Sequence, residues 1–271
     1  MNYGIVAAGR FGDDIEDAFR MASKIGFDGL EIPFNRLECE EELIWTPEGV
    51  GRLRRLSERY GLAMPSLIGG RYNRRGFTDD DPEVRGEAAE VMLHLIDMCA
   101  EAGIERILTA FFGDQMIEDE TDVQRAIDGV AACAPKAESR GVTLALEGTV
   151  DAGQWLRIID AVASDAVGVY YDVGNAVWIG LDTPVELEML SDAGVLEQIH
   201  IKDMTEDKVN SPLGEGDVDW DEVAGAIEEI GYDQWLVLET PRSDTPEEDY
   251  ARYLELVRSR IEAAPGGERP Q

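Results

Sequence analysis

Short apolar runs alternate along this chain with longer segments in which apolar residues recur at helical spacing. The runs are rich in Val, Ile, Leu and Tyr and precede turn residues, which is typical of buried parallel strands that each feed a crossover helix. Eight strands are predicted: 2–8, 27–34, 62–70, 104–111, 142–147, 167–172, 196–203 and 234–239. Helices are predicted over 13–25, from the TPEGV segment to Gly61, over 81–103 and 121–140, and roughly over 151–164, 182–193, 219–230 and 245–263.

Eight strand and helix pairs in alternation predict an α/β protein, a single (β/α)8 TIM barrel over residues 1–263. The length of 271 residues matches one such barrel, and a content of 44% hydrophobic residues is enough for a substantial core. The last segment, 264–271, continues neither pattern and is expected to fray.

The strongest chemical signal stands at the ends of the last four predicted strands. Three carboxylates and one imidazole are spaced there by 25, 28 and 39 residues: Glu147, Asp172, His200 and Glu239. The C-terminal strand ends of a parallel barrel converge on one face, so these side chains are expected to meet. An acidic residue after a strand is often only a helix N-cap, but three buried carboxylates need a compensating cation. We predict one divalent metal ion, with Mn²⁺ favoured because oxygen ligands dominate, and Mg²⁺, Co²⁺ or Zn²⁺ as alternatives.

Two further polar residues on predicted strands are candidates for contact with a substrate. Lys202 shares the inward parity of His200, because side chains alternate along a strand. It either neutralises a substrate anion or pairs with a buried carboxylate such as Asp203 or Glu239. Glu31, near the end of the second strand, is a weaker candidate of the same type.

A cluster of arginines follows the third predicted strand in a chain that is poor in basic residues: Arg71, Arg74 and Arg75. Loops at that face of a barrel bind substrates, and arginine suits the geometry of phosphate, so the cluster predicts a phosphorylated substrate. Charge balance at the surface is the alternative interpretation. His94 falls off the apolar stripe of its predicted helix and is expected to face solvent.

The charge of the chain restricts its partners. Acidic residues number 57 against 24 basic ones, and the formal net charge of −33 repels nucleic acids and anionic membranes. The acidic residues are spread along the chain, a pattern that resembles the surfaces of proteins from salt-accumulating microbes. Three cysteines without CxxC spacing indicate neither a disulfide framework nor a thiolate zinc site. Because no apolar run could span a membrane and no leader pattern is present, we expect a cytoplasmic protein.

Five motifs, LALEGT, YYDVGNA, IHIKD, PLGEGDVDW and LVLET, resemble those of the xylose isomerase-like barrel superfamily, specifically its sugar and sugar-phosphate isomerase and epimerase branch. The resemblance covers nearly the whole chain. It implies that the four strand-end residues bind one divalent ion, commonly manganese. In the ketose 3-epimerases of this family, the glutamates that match Glu147 and Glu239 resemble an acid/base pair on opposite faces of the sugar. The expected reaction is proton transfer through a metal-stabilised enediolate.

Two positions depart from the free-ketose epimerases of that family. Those enzymes carry a histidine three residues after the metal-binding Asp, where this chain has Asn175, and an arginine six residues after the metal-binding His, where it has Glu206. The combination of DVGN with HIKD is closer to the branch that acts on pentulose or hexulose phosphates, which also has arginines after strand three. A sugar or sugar phosphate is the expected partner, with Asn175 as a contact to it, and a homo-oligomer is compatible with this assignment.

Three other functions share the expected fold. An inosose dehydratase-like lyase has the same metal site, and the sequence discriminates poorly between the two reactions. A non-catalytic sugar-binding barrel would be expected to lose ligands, whereas all four are present. An apurinic-site endonuclease uses a cluster of zinc-binding histidines, and the two histidines and the charge of −33 argue strongly against it.

Overall fold

Eight parallel strands close on themselves in the computed structural model, which describes residues 1–7, 11, 14–205, 207 and 210–263. The strands in chain order are β1 (Asn2–Val6), β2 (Gly29–Pro33), β3 (Leu67–Gly69), β4 (Arg106–Phe111), β5 (Thr143–Gly148), β6 (Val167–Asp172), β7 (Leu196–Ile201), β8 (Asp203–Met204), β9 (Asn210–Ser211) and β10 (Trp235–Leu238). All except β8 and β9 belong to the barrel, in chain order, and β10 closes it against β1. The predicted (β/α)8 TIM barrel is confirmed.

The described part of the chain contains nine α-helices: α1 (Ile15–Ile25), α2 (Pro47–Tyr60), α3 (Pro82–Ala102), α4 (Glu120–Arg140), α5 (Ala152–Val162), α6 (Val173–Ile179), α7 (Thr183–Asp192), α8 (Trp220–Glu229) and α9 (Pro246–Ala263). Many of them begin at an aspartate whose side chain accepts hydrogen bonds from the first turn: Asp14, Asp81, Asp119, Asp151, Asp182 and Asp219. Such caps satisfy free N–H groups and place negative charge at the positive end of each helix. Part of the acidic excess therefore has a structural role.

The third strand is shorter than the apolar run 62–70 that predicted it. Ala63 forms only an isolated parallel bridge to Gly29, and regular pairing with β4 begins at Leu67. Pro65 lies between these two points and has no N–H to donate to a strand ladder. The proline thus divides the run, and only its second half forms a regular strand.

The region after β6 and β7 also differs from prediction. Helix α6 follows β6 without an intervening loop, ahead of the predicted helix that corresponds to α7. The predicted strand 196–203 is divided, because β7 ends at Ile201 and β8 pairs in antiparallel orientation with β9. Lys202 therefore lies between two strands.

Buried apolar side chains from the strands and the helices form one core cluster. Cys39, Cys99 and Cys133 are buried free thiols. The expectation that His94 faces solvent is wrong, because its ring packs on Trp45 with centroids 4.0 Å apart and its Nε2 lies 2.9 Å from the Trp45 carbonyl oxygen.

No helix in the described ranges combines the length and apolar character needed to cross a bilayer. The predicted tail 264–271, residue 8 of the first predicted strand and Glu206 lie outside the described residues.

Candidate metal centre

The four strand-end residues meet at the C-terminal mouth of the barrel. One ligand atom from each lies within 4.8 Å of the others: Glu147, Asp172, His200 and Glu239. They come from β5, the end of β6, β7 and the residue after β10. The first three are buried and Glu239 is partly exposed. The parallel strands thus assemble the predicted set of side chains in one place.

Asp172 caps a helix with one carboxylate oxygen and directs the other into the cluster. Its Oδ1 caps α6, accepting hydrogen bonds from the backbone N–H groups of Gly174 at 2.7 Å and Asn175 at 2.9 Å. Its Oδ2 is buried and has no hydrogen-bond partner among the described residues. The cap fixes the carboxylate so that this second oxygen faces His200 and Lys202, at 3.8 and 3.5 Å.

The imidazole of His200 is completely buried and has different partners on its two nitrogen atoms. Nδ1 faces the cluster, 3.2 Å from Glu147, 3.6 Å from Glu239 and 3.8 Å from Asp172. Nε2 faces away from it and lies 3.0 Å from Oε2 of Glu31. Nδ1 is therefore the nitrogen that this geometry offers to a metal ion.

Of the two carboxylates that the sequence offered as partners of Lys202, the structure pairs it with Glu239 and not with Asp203. Its Nζ lies 3.2 Å from Glu239 and 3.5 Å from Asp172. Asp203 instead accepts hydrogen bonds from backbone and indole N–H groups of the following loop: Gly214, Gly216, Val218 and Trp220. Asp203 therefore holds that loop in place, and the ammonium of Lys202 belongs to the cluster.

Burial determines the electrostatics of the cluster. It raises the pKa of Glu147 to about 7, although His200 partly opposes the shift, and it also raises the pKa of Asp172, against the effect of Lys202. For His200, burial lowers the pKa, but the charges and hydrogen bonds of Glu31 and Glu147 outweigh it and hold the pKa well above its usual value.

The donor set fits a divalent cation. At most two positive charges, from Lys202 and a protonated His200, face three carboxylates, and one buried carboxylate oxygen of Asp172 has no hydrogen-bond partner among the described residues. Buried carboxylates in such excess are stabilised by a cation, and oxygen ligands with one imidazole suit Mn²⁺, Mg²⁺ or Zn²⁺.

A cavity of about 230 Å³ opens beside the cluster. Its polar lining comes from Glu147, Glu239, Lys202 and three asparagines, and its apolar lining includes Ile68, Leu108, Ala110, Phe112, Trp178 and Met204. Asn175 is buried, and neither atom of its side-chain amide has a hydrogen-bond partner among the described residues. An amide in that state is suited to bind hydroxyl or carbonyl oxygens of a ligand.

Sequence reasoning missed Asn73 and Asn210, which also line the cavity. Asn73 belongs to the loop after β3 and Asn210 begins β9, so no strand parity or motif indicated their direction. The arginine cluster of that loop was the only signal near Asn73.

The arginines of that loop have partners within the protein. None of the three lines the cavity. Arg71 is buried and shares the carboxylate of Glu87 with Arg75. The exposed Arg74 donates a hydrogen bond to the carbonyl oxygen of Asn35. Arg71 and Arg75 are thus occupied in an ion pair with α3, which explains their presence without a ligand.

Glu31 has a different position from that of a substrate contact. It is fully buried, is absent from the cavity lining, and binds His200 from the side opposite the other carboxylates. Its location on β2 was predicted correctly, but its partner was not.

Comparison with known proteins agrees with this architecture. The family model described as the xylose isomerase-like TIM barrel matches residues 19–260. The 2-epi-5-epi-valiolone 7-phosphate 2-epimerase of Actinoplanes sp. is 28% identical over 204 residues, which cover 74% of this chain and 73% of that protein. The L-ribulose-5-phosphate 3-epimerase of Salmonella paratyphi C is 26% identical over 262 residues, covering 92% and 90%. The D-psicose 3-epimerase structure from Clostridium cellulolyticum H10, with D-tagatose, has a TM-score of 0.79 at 17% identity, covering 96% and 99%, and shares the fold.

Proposed function

The chain belongs to the xylose isomerase-like TIM barrel family, and we propose that it is a divalent-metal-dependent isomerase or epimerase of a ketose or ketose phosphate. The relatives from Actinoplanes and Salmonella are named as epimerases of phosphorylated substrates, which supports this class. One observation carries the proposal: Glu147 and Glu239 line a cavity and share a cluster with Asp172 and His200. The cavity volume of about 230 Å³ suits a single small sugar.

The cation would be held by Glu147, Asp172, Nδ1 of His200 and Glu239. When bound, it supplies a Lewis acid that polarises a carbonyl oxygen and stabilises negative charge. Mn²⁺ is favoured because three of the four ligands are carboxylates, with Mg²⁺, Co²⁺ and Zn²⁺ as alternatives.

The two glutamates are the proposed proton carriers. Inversion at a carbon beside a ketone needs one base that removes a proton and one acid that returns a proton from the other face. Glu147 comes from β5 and Glu239 follows β10, with β6 and β7 between them in the barrel. A sugar in the cavity therefore lies between carboxylates that approach from different sides of the mouth.

Two further residues in the lining act on substrate oxygens. Lys202 supplies a positive charge beside the oxygen on which negative charge develops after proton removal. Asn175 offers both a donor and an acceptor from a buried and fixed side chain, so it orients hydroxyl groups in the cavity.

A phosphate group on the substrate is the finer part of the proposal. Arg74 is the residue of the arginine cluster that remains for it, because Arg71 and Arg75 share Glu87. Arg74 is exposed, donates a hydrogen bond to the backbone carbonyl of Asn35, and is next to Asn73, which lines the cavity. Its planar guanidinium can bind a phosphate with two parallel hydrogen bonds.

The reaction is tested by turnover of ketoses, ketose phosphates and inososes in deuterated water, with metal analysis of the same preparation. Proton transfer through a carbanion-like intermediate should place deuterium on the reacting carbon, whereas a hydride shift keeps the original hydrogen. Product free of deuterium would overturn proton transfer, and dehydration of an inosose would assign the protein to the lyases.

Substitution of the proton carriers tests the residue assignment. Glu147→Gln and Glu239→Gln should each reduce turnover by about 10²- to 10⁴-fold, the usual contribution of a positioned acid or base. Glu186→Gln is the matched control, because Glu186 is a buried glutamate outside the cluster that caps the N–H of Ala152. An active Glu239→Gln variant would remove that residue from the role.

A further inference from the structure

A second layer of polar side chains lies against the imidazole of His200, on the side away from the cluster. Glu31 is at its centre, 3.0 Å from Nε2 of His200. Oε1 of Glu31 lies 2.5 Å from the hydroxyl of Ser66 and 2.9 Å from that of Tyr170. Nε2 of Gln198 lies 2.8 Å from each of these two hydroxyl oxygens. All four side chains of this layer are buried.

The alternation of side chains along β6 and β7 explains why this layer lies directly below the four-residue cluster. Gln198 and His200 are two residues apart on β7, and Tyr170 and Asp172 are two residues apart on β6, so each pair points into the barrel. The register pairs Tyr170 with Gln198 and Asp172 with His200. The upper pair belongs to the cluster, and the lower pair lies one step deeper and contacts Glu31.

The donors and acceptors in this layer have only one consistent direction. The hydroxyls of Ser66 and Tyr170 donate their hydrogens to Oε1 of Glu31. Their oxygens then accept from the two N–H groups of the Gln198 amide, whose own oxygen is buried without a hydrogen-bond partner among the described residues. A buried amide oxygen without a partner is destabilising. The contribution of Gln198 to this layer is therefore the pair of hydrogen bonds that its amide nitrogen donates to Ser66 and Tyr170.

We propose that Gln198, Ser66, Tyr170 and Glu31 form a positioning network that holds His200 in the tautomer with hydrogen on Nε2. With Nε2 donating to Glu31, the lone pair of Nδ1 is free to bind a cation that Glu147, Asp172 and Glu239 would also hold. The ring of Tyr170 also packs against the imidazole, with centroids 4.1 Å apart, and limits its rotation. The proposal rests on the proposed function in one respect, the cation at the four-residue cluster.

Each member of the network should contribute to the affinity for the metal ion. Loss of an outer hydrogen-bond partner of a metal-binding histidine weakens metal binding by about 10- to 100-fold. Tyr170→Phe, Ser66→Ala and Gln198→Met act one step further out, through Glu31, so each should raise the Kd for Mn²⁺ toward the lower end of this range. Glu31→Gln should have the largest effect, because its amide can donate to Nε2 and allow the tautomer whose hydrogen on Nδ1 blocks the metal.

The first test is the Kd of Mn²⁺ for these variants, measured by calorimetry on protein whose fold is checked by circular dichroism. Tyr171→Phe is the matched control, since Tyr171 is adjacent, is buried, and faces the other side of β6. The proposal is overturned if Tyr170→Phe and Ser66→Ala bind Mn²⁺ as tightly as Tyr171→Phe does. A merely structural role would lower stability without changing the Kd of the folded protein.

The second test reads the tautomer directly. The chain has two histidines, so ¹⁵N-histidine labelling gives two ring spectra, and His94→Gln identifies that of His200. Protein loaded with diamagnetic Zn²⁺ should show hydrogen on Nε2 and the metal on Nδ1. Zn²⁺ on Nε2 would overturn the proposal.

The same spectrum separates this proposal from the proposed function. Metal-free protein, studied at a pH high enough to leave one proton on the ring, should still carry that hydrogen on Nε2. Hydrogen on Nδ1 there would refute the network, whether or not the cluster binds a metal. Failure of the wild-type protein to bind any divalent cation would instead refute the proposed function.

Discussion

The replacement of Asp172 by asparagine separates the two roles of this residue. Oδ1 of Asp172 caps α6 through the N–H groups of Gly174 and Asn175, while Oδ2 faces the cluster. Asparagine caps a helix as well as aspartate does, whereas alanine costs typically about 1 kcal/mol. Metal-free Asp172→Asn should therefore be at least as stable as wild type at neutral pH, and Asp172→Ala should be less stable by about 1 kcal/mol.

Although Asp172→Asn should preserve the stability of the metal-free protein, it should weaken metal binding. Asparagine retains the capping oxygen but replaces the charged Oδ2 with a neutral group, so one of the four proposed ligands is lost. The loss of metal affinity should exceed the roughly 100-fold that is the upper limit for removing a residue hydrogen-bonded to a metal ligand. At a metal concentration of 100 times the wild-type Kd, binding stabilises wild type by about 2.7 kcal/mol. A Kd raised 100-fold leaves about 0.4 kcal/mol at the same concentration, from the same relation.

Thermal unfolding with and without Mn²⁺ measures both effects. For a chain of this size, about 2.7 kcal/mol corresponds to a Tm increase of roughly 5–10 °C, and about 0.4 kcal/mol to roughly 1 °C. If Asp172→Asn keeps the full metal-dependent increase, Asp172 is only a helix cap. If metal-free Asp172→Asn and Asp172→Ala unfold at the same temperature, the contribution of the cap is refuted.

Three further predictions concern pH, salt and the arginine loop. Burial raises the pKa of Glu147 from 4.5 to about 7, so between these pH values the metal-free folded protein holds a proton that the unfolded chain releases. The stability of the metal-free protein should therefore fall as pH rises from about 4.5 to 7. The Tm increase caused by Mn²⁺ should grow over the same range, because the metal competes with that proton. A Tm increase that is independent of pH would contradict this. The net charge of −33 predicts that Tm rises between dilute buffer and molar KCl, and a Tm that does not rise would exclude a halophilic adaptation. Arg74→Ala should raise KM for a ketose phosphate and leave KM for a free ketose unchanged. The control is Arg75→Ala, which removes a partner of Glu87 and should change KM little for either substrate. Equal effects of Arg74→Ala on the two substrates would assign that residue to surface charge.

The sequence by itself determined the barrel and the four residues of the cluster. Apolar runs of strand length separated by helical patterns allow few parallel folds, and parallel strands in a closed barrel bring their C-terminal ends to one face. Glu147, Asp172, His200 and Glu239 could therefore be placed together although no two of them are neighbours in the chain. The same reasoning gave Lys202 its inward direction, and a proline visible in the sequence accounts for the shortened third strand.

The partners of these residues were decided only by the tertiary structure. Parity gives the face of a strand, but it does not say which donor on one segment comes within about 3 Å of an acceptor on another. Glu31 was expected to contact a substrate and instead binds His200 from across the barrel, while Asp203 binds a loop and leaves Lys202 to Glu239. Arg71 and Arg75 share a carboxylate of α3. Such pairings depend on the relative placement of segments far apart in the chain, which packing of the whole barrel fixes and local sequence pattern does not encode.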